Sequence, residues 1–379
     1  MPNNVVAMVL VGGRGTRLEQ ITEKTAKPAV TFGGKYKLID FVLSNLSNSF
    51  INVVGIVTQY EPHELMNYIQ HGSSWDLDVS EGGIHFLTPY TSSLGEQWQR
   101  GTAHAIKQHL YFIDQYKPEY VLILSGDHVY KMDYNEMILE HQQSNADVTI
   151  AVFKPDDDLS RYGILELDAS LKVVGFEEKP TTPKSDYASM GIYVFKKESL
   201  KQLLATLEIE KTFDFGKDII PKALKQNYHI HGFNFNGYFR DVGTIESLYQ
   251  ANMDLLDHPE YLKPHDYTTL PLYTRSKDLP PHHIAGKYPV LQSMISDGCL
   301  IMGTVMHSIL SEGVVVKDHA IVQDSVIFAH VMIGEHSVIR NAIVLENTVI
   351  LPRTRLVFET VTVVNNETLW QLGARSDEK

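Results

Sequence analysis

Apolar residues recur along this chain with three different periods. Val5 to Val11 is a short, nearly unbroken apolar run, as a strand buried on both faces requires. Leu38, Ile39, Val42, Leu43 and Leu46 then fall at helical spacing and predict a helix over Leu38–Asn48. Val53–Thr58 reads as a strand, Pro62 opens a helix through Ile69, and Gly101–Ile113 reads as one helix. Tyr120–Leu124 and Ala146–Val152 are two more buried strands. Strands alternating with helices predict an α/β fold: a mostly parallel, doubly wound, Rossmann-like sheet covered on both faces. Ligands of such sheets sit beyond the carboxyl ends of the strands. Gly12 and Asp127 both follow such ends, so they can share one crevice.

From Asp257 to about Pro289 the pattern stops. Pro259, Pro264, Pro271, Pro280, Pro281 and Pro289 interrupt any regular element, and the stretch reads as a linker. A third period follows. Ile309, Val315, Ile321, Ile327, Ile333, Ile339, Leu345 and Leu351 lie six residues apart, with Ile295 and Ile301 before them out of register. A six-residue period fits neither a helix nor a pleated strand. It predicts a left-handed parallel β-helix, each hexad forming one side of a triangular coil with its aliphatic pointing inward. The expected organisation is residues 1–256 as the α/β domain, 257–289 as the linker and 290–379 as the β-helix.

The net charge of −13 argues against a nucleic-acid partner, so an anionic ligand needs a local cluster of cations. The single cysteine, Cys299, cannot form an internal disulfide and fits a reducing cytoplasm. The first apolar run is too short to span a membrane and has no basic segment before it, so neither a membrane anchor nor a signal peptide is expected.

The local cluster is the stretch Val11-Gly12-Gly13-Arg14-Gly15-Thr16-Arg17, completed by Ala26-Lys27-Pro28. Glycines at the end of a strand let backbone N–H groups turn toward an anion, and Arg14, Arg17 and Lys27 add charge. The spacing is neither the P-loop nor the dinucleotide fingerprint. Asp127 follows a buried strand in Ser125-Gly126-Asp127-His128, where a hard oxygen ligand suits Mg²⁺; Asp133 is the better candidate to cap the next helix. Asp241, in Arg240-Asp241-Val242-Gly243-Thr244, is a second carboxylate that reads equally as a turn residue. Lys179, in Glu178-Lys179-Pro180, offers a compact charge for a phosphate but taken alone reads rather as a solvated strand end, and Ser189 opens a strand. No nucleophile–base pair stands out, and the seventeen histidines are scattered.

With these motifs in order, the chain resembles the sugar-nucleotide pyrophosphorylases, and among them the ADP-glucose pyrophosphorylases. The resemblance also rests on Phe32-Gly33-Gly34-Lys35, Ile39-Asp40-Phe41, Leu43-Ser44-Asn45, Thr58-Gln59-Tyr60, Arg100-Gly101-Thr102-Ala103 and Asp214–Pro221. It implies a nucleotidyltransferase domain followed by a left-handed β-helix, in a cytoplasmic tetramer of one chain or of two homologous chains. It implies transfer of an adenylyl group from ATP to glucose 1-phosphate, the activation step of glycogen synthesis. Gly12, Gly13, Arg14, Gly15, Thr16, Gly101 and Thr102 would then hold the nucleotide, with Arg17 and Lys27 on its phosphates. Asp127 and Asp241 would hold Mg²⁺. Gly163, Glu178, Lys179 and Ser189 would bind glucose 1-phosphate. Gln99 departs from the family's usual aromatic. Lys24 and Lys37 are kept, but Thr25 and Thr31 are neutral and only Arg353, Arg355 and Arg375 are late cations, which implies weak activation by a sugar phosphate. Other readings of the motifs are a pyrophosphorylase for UTP or dTTP, a non-catalytic partner subunit, and an acyltransferase using His307, His319, His330 or His336.

Overall fold

The computed structural model describes residues 4–12, 15–23, 25–58, 62–89, 91–92, 95–96, 101–156, 158–205, 212–263 and 268–371. They divide into two compact units that interleave along the chain. The first takes residues 1–13, 41–239 and 266–273; the second takes 14–40, 240–265 and 274–379.

The first unit is built on a nine-stranded sheet among the described residues. Its strands are β1 (Val5–Leu10), β2 (Val53–Val57), β3 (Gly83–Leu87), β4 (Tyr120–Ser125), β5 (Val148–Phe153), β6 (Gly163–Leu167), β7 (Val173–Glu178), β8 (Tyr187–Lys196) and β9 (Ile230–Asn234). β1 lies between β2 and β4, parallel to both, and β3 extends the parallel set beyond β2. β8 joins β4 antiparallel and carries β5 and β6. The apolar runs read as buried strands are buried: Ala7, Met8 and Val9 in β1 and Val121 to Leu124 in β4 have no exposed surface. The helix Leu38–Asn48 has the predicted limits. The expected helix over 101–113 is two, Thr102–Gln108 and Leu110–Tyr116, broken at His109, whose φ of −106° and ψ of 20° leave the helical region. The break turns Phe112 and Ile113 into the core.

Two imidazoles buried in this unit make its stability depend on pH on the acid side. Burial lowers both His109 and His141 from 6.5 to about 4. Below pH 6.5 the unfolded chain therefore takes up protons that the folded chain refuses, and stability falls as pH drops toward 4. His141 Nδ1 pairs with Thr149 Oγ1 at 2.7 Å. His141→Asn, whose amide stands where Nδ1 stood, can keep that bond and removes the titration, so the fall in melting temperature between pH 7 and 4.5 becomes smaller. Scanning calorimetry at the two pH values checks this; an unchanged difference refutes it.

The second unit contains an all-parallel β-helix. Long strands Thr304–Leu310, Ile321–Ile327 and Val338–Val344 stack in register, with Thr304 beside Ile321 and Ile321 beside Val338. Successive coils are therefore offset by seventeen residues, where three hexads predict eighteen. The inward side chains Val322, Ile327, Ile333, Ile339, Val344, Ile350 and Leu356 are spaced by five, six and six. Left-handed residues turn the corners, His307, Gly313, His319, Asp324, His330, His336, Asn341, Asn347 and Arg353, and the steps from His319 to Asp324 and from His336 to Asn341 are five residues where the others are six, so one side of each coil is a residue shorter. As a result Val315, Ile321, Leu345 and Leu351 of the expected inward set are only half-buried. The earlier run is out of register as read: Ile295 pairs with Leu310 and Ile301 with Val316, an offset of fifteen.

The helix Ile245–Asp257 belongs to the same unit. A reciprocal capping box between Thr244 and Ser247 fixes its start. At its end Asp257 Oδ1 meets His307 Nε2 at 3.1 Å, while His307 Nδ1 meets Asp324 at 2.8 Å. The helix is thereby fastened to the solenoid.

Candidate active site

In the first unit, β1 and β4 end side by side. Leu10 is in register with Ser125, and Gly126 N donates to Leu10 O at 3.0 Å. Gly12 and Asp127 therefore leave the sheet at neighbouring points, as the strand ends predict. Ser125 Oγ donates to Asp127 Oδ1, and His128 Nε2 lies 3.5 Å from the same oxygen. The segment beyond is clamped from beneath. Asn45 Nδ2 donates to Tyr130 O and its Oδ1 accepts from Met132 N, while Ser49 Oγ accepts from Tyr134 N. The phenols of Tyr130 and Tyr134 bond to each other at 2.6 Å, fully buried, and burial raises both above the ordinary value. Phe239 packs edge-on against His128 and at a tilt against Tyr130 and Phe153. Asp127 is thus set on a rigid base, and the cap of the helix Tyr134–Gln143 is Asp133, as expected.

The second unit assembles the predicted cations. Gly15 has a φ of 58°, and a methyl group there would lie 3.0 Å from Thr22 Cγ2 and 3.3 Å from Lys27 Cβ. Thr22 Oγ1 donates to Gly15 O at 2.8 Å. Lys27 opens a single 3-10 turn, Lys27–Ala29, with Pro28 inside it. Its side chain is nearly buried, and Nζ lies 3.2 Å from Asp241 Oδ1. A methyl group built on Gly243 would lie 2.9 Å from Arg17 Nη2 and 3.1 Å from Asp241 Oδ1, so arginine and carboxylate flank one glycine. Arg240, next to Asp241, pairs with the buried Asp254 at 3.4 Å. Asp241 is therefore no idle turn residue, since it holds a buried lysine.

A third cluster lies within the first unit. Glu178, at the end of β7, faces two glycines: methyl groups on Gly163 and Gly216 would lie 2.9 and 2.5 Å from its Oε2. Burial raises the Glu178 carboxyl above its ordinary value; Lys179 and Lys217 oppose this, and Asp214 adds to it. Lys179 Nζ is 4.0 Å from Glu178 Oε1 and its side chain is half-exposed. Tyr193, pushed up to about 12 by burial, hydrogen-bonds with Ser189. Thr102 is spoken for: its N and Oγ1 donate to Asp214 Oδ1 at 2.9 and 3.1 Å, and Oγ1 accepts from Phe215 N. This ties Gly101 and Thr102 to the turn beside Glu178. Asp214 and Gly216 lie in the run Asp214–Pro221, which the sequence offers as a structural segment or as one that shapes the sugar pocket, and Tyr193 lies in the strand that Ser189 opens. The run Asp214-Phe215-Gly216 was visible, but only the fold places its glycine on Glu178.

Gly13, Arg14, Lys24, Gln99, Arg100 and Arg375 lie outside the described residues, and nothing is described of the Thr16 side chain. Among the described residues no helix is long and apolar enough to cross a membrane.

The second unit thus offers a lysine on a carboxylate with an arginine beside the same glycine, and the first offers a carboxylate at a parallel strand end and a half-buried acid lined by glycines. Comparison with known proteins gives the family. The nucleotidyl transferase family matches residues 6–258, and the GlmU-like C-terminal hexapeptide family matches residues 283–361. The hexapeptide match and the parallel coils accord with a left-handed β-helix. The chain is 49% identical over 316 residues to the glucose-1-phosphate adenylyltransferases of Bacillus mycoides (strain KBAB4) and Bacillus cereus (strain ATCC 10987 / NRS 248). In each case the match covers 83% of this chain and 84% of the relative.

Proposed function

The chain belongs to the nucleotidyl transferases, among the glucose-1-phosphate adenylyltransferases, and on that premise we propose that it joins ATP to glucose 1-phosphate, giving ADP-glucose and pyrophosphate. The observation that carries this reading is the buried Lys27, held by Asp241 beside the left-handed Gly15 and Arg17. A buried lysine paired with one carboxylate is oriented in advance, so little reorganisation is needed when a triphosphate arrives.

In this reading an oxygen of the sugar phosphate attacks the α-phosphorus of ATP in line. The bond from that phosphorus to the bridging oxygen breaks, and pyrophosphate leaves with the electron pair. No protein nucleophile is needed. Arg17 and Lys27 neutralise the β- and γ-phosphates as charge builds on them. Glu178 and Ser189 hold the sugar, and Lys179 its phosphate. Asp127 and Asp241 would hold Mg²⁺, as their donor chemistry allows: both offer hard carboxylate oxygens, and Asp127 is fixed at a strand end. When bound, the ion would supply positive charge to the triphosphate. The tetrameric assembly and the cytoplasmic setting belong to the same reading.

The test is pyrophosphate release by the purified chain with glucose 1-phosphate and Mg²⁺, comparing ATP, UTP, dTTP and GTP. Release with ATP alone is expected. Release with UTP or dTTP instead would move the chain to another base. No release with any nucleotide, unless co-expression with a homologous chain restored it, would overturn the catalytic reading.

A further inference from the structure

The β-helix reaches the catalytic lysine through a hairpin. After the turn Lys27–Ala29 the chain forms two short antiparallel strands, Thr31–Phe32 and Tyr36–Lys37, joined by Gly33 and Gly34 at φ of 59° and 76°. The hairpin is fastened to the lysine's own turn: Lys37 Nζ donates to Ala29 O at 2.5 Å, and Leu38 N donates to Val30 O. Its tip is fastened elsewhere. Gly33 N donates to Oδ1 of the fully buried Asn252, on the helix Ile245–Asp257, at 2.9 Å. Ser296, on an early coil of the solenoid, donates through Oγ to Gly34 O at 2.9 Å, and its own N donates to Leu310 O. The fit at the tip is close. A methyl group on Gly34 would meet Ser296 Oγ at 3.0 Å and Ile309 Cγ2 and Leu310 O at 3.1 Å.

We propose that Ser296 is a positioning residue for the reaction: through Gly34 and the hairpin it sets where Lys27 presents its ammonium. This rests on the adenylyl-transfer reading above and extends it, since it makes the solenoid a working part of the site. Ser296 touches no substrate. Its hydroxyl fixes the tip, Lys37 passes the constraint to Ala29, and the turn passes it to Lys27. Losing one neutral hydrogen bond at the tip leaves the fold intact but broadens the position of Nζ.

The experiment uses the full-length chain with Ser296→Ala, Ser296→Thr and Lys27→Ala. Ser296→Ala is expected to lower kcat by roughly three- to tenfold, with the melting temperature nearly unchanged. Ser296→Thr, which keeps the hydroxyl, restores kcat to within about twofold. In a Lys27→Ala background Ser296→Ala costs nothing more, because the group it positions is gone. A second readout needs no turnover: the rate at which a water-soluble acylating reagent modifies Lys27, followed by mass spectrometry, rises several-fold in Ser296→Ala. An unchanged labelling rate, a full loss persisting in the Lys27→Ala background, or equal losses in the alanine and threonine variants overturns the proposal. A wild-type chain that releases no pyrophosphate counts against the functional reading alone, and the labelling rate still decides the role of Ser296.

Discussion

Asp127→Asn is expected to lower pyrophosphate release by about a thousandfold or more, equivalent to about 4 kcal/mol of transition-state stabilisation. The substitution changes charge and hardly changes shape. Asparagine keeps the volume and an acceptor oxygen for Ser125 Oγ, and the clamp by Asn45 and Ser49 on the residues that follow does not involve the carboxylate. The variant should therefore melt close to wild type and still bind ADP-glucose. What it loses is a full negative charge at the end of a parallel strand, where a divalent cation would be held. Steady-state release and equilibrium binding of ADP-glucose check this. Activity within tenfold of wild type would remove Asp127 from the site.

Gly101→Ala is the second large effect. Gly101 has a φ of 89° and a ψ of 167°, a backbone conformation that side chains rarely adopt. A methyl group there would lie 2.4 Å from Phe213 O and 3.0 Å from Asp214 Oδ1, and neither can retreat cheaply. Phe213 O accepts from Ala103 N, and Asp214 accepts twice from Thr102. Phe215 is buried and stacked on Tyr193. Relief must either pull the turn 213–216 away from Glu178 or displace the start of the helix Thr102–Gln108. A cost of about 3 kcal/mol or more is expected, with a raised KM for glucose 1-phosphate. Gly286→Ala is the control. Its φ is also positive, 67°, but nothing lies within 4 Å, so it should lose only about 1 kcal/mol. Equal melting temperatures for the two variants would show that the contact at Gly101 is slack.

These two sites also mark what a sequence can and cannot tell. Asp127 was legible because a buried apolar run ends at it, and the structure places that end beside the end of β1. Lys27 was legible as a cation near a glycine loop, and its partner Asp241 was weighed against a turn. The bond between them spans 214 positions, and only folding brings them together. The cluster around Glu178 was half legible. Gly163, Glu178 and Ser189 were singled out, whereas Gly216 matters for the side chain it lacks, which no residue type announces. The helix break at His109 was missed because its apolar neighbours continue the helical spacing across it. The solenoid's period was read one residue too long per coil. The shortening lies in one side per coil, His319 to Asp324 and His336 to Asn341, whose corners are five residues apart, and no residue type marks it because left-handed corners stand at all three positions.

That short side makes the length of this domain quantised. Between Thr304 and Val357 the ladder contacts join residues seventeen apart, and Ser308, Ser325 and Ala342 hand a hydrogen bond from coil to coil at that interval. A duplication or loss of seventeen residues returns each inward aliphatic to an inward place. A duplication of eighteen, the length the hexads advertise, puts every later side chain one step out of phase and turns aliphatics toward water. In this protein, then, the solenoid can grow or be trimmed by whole coils and by little else.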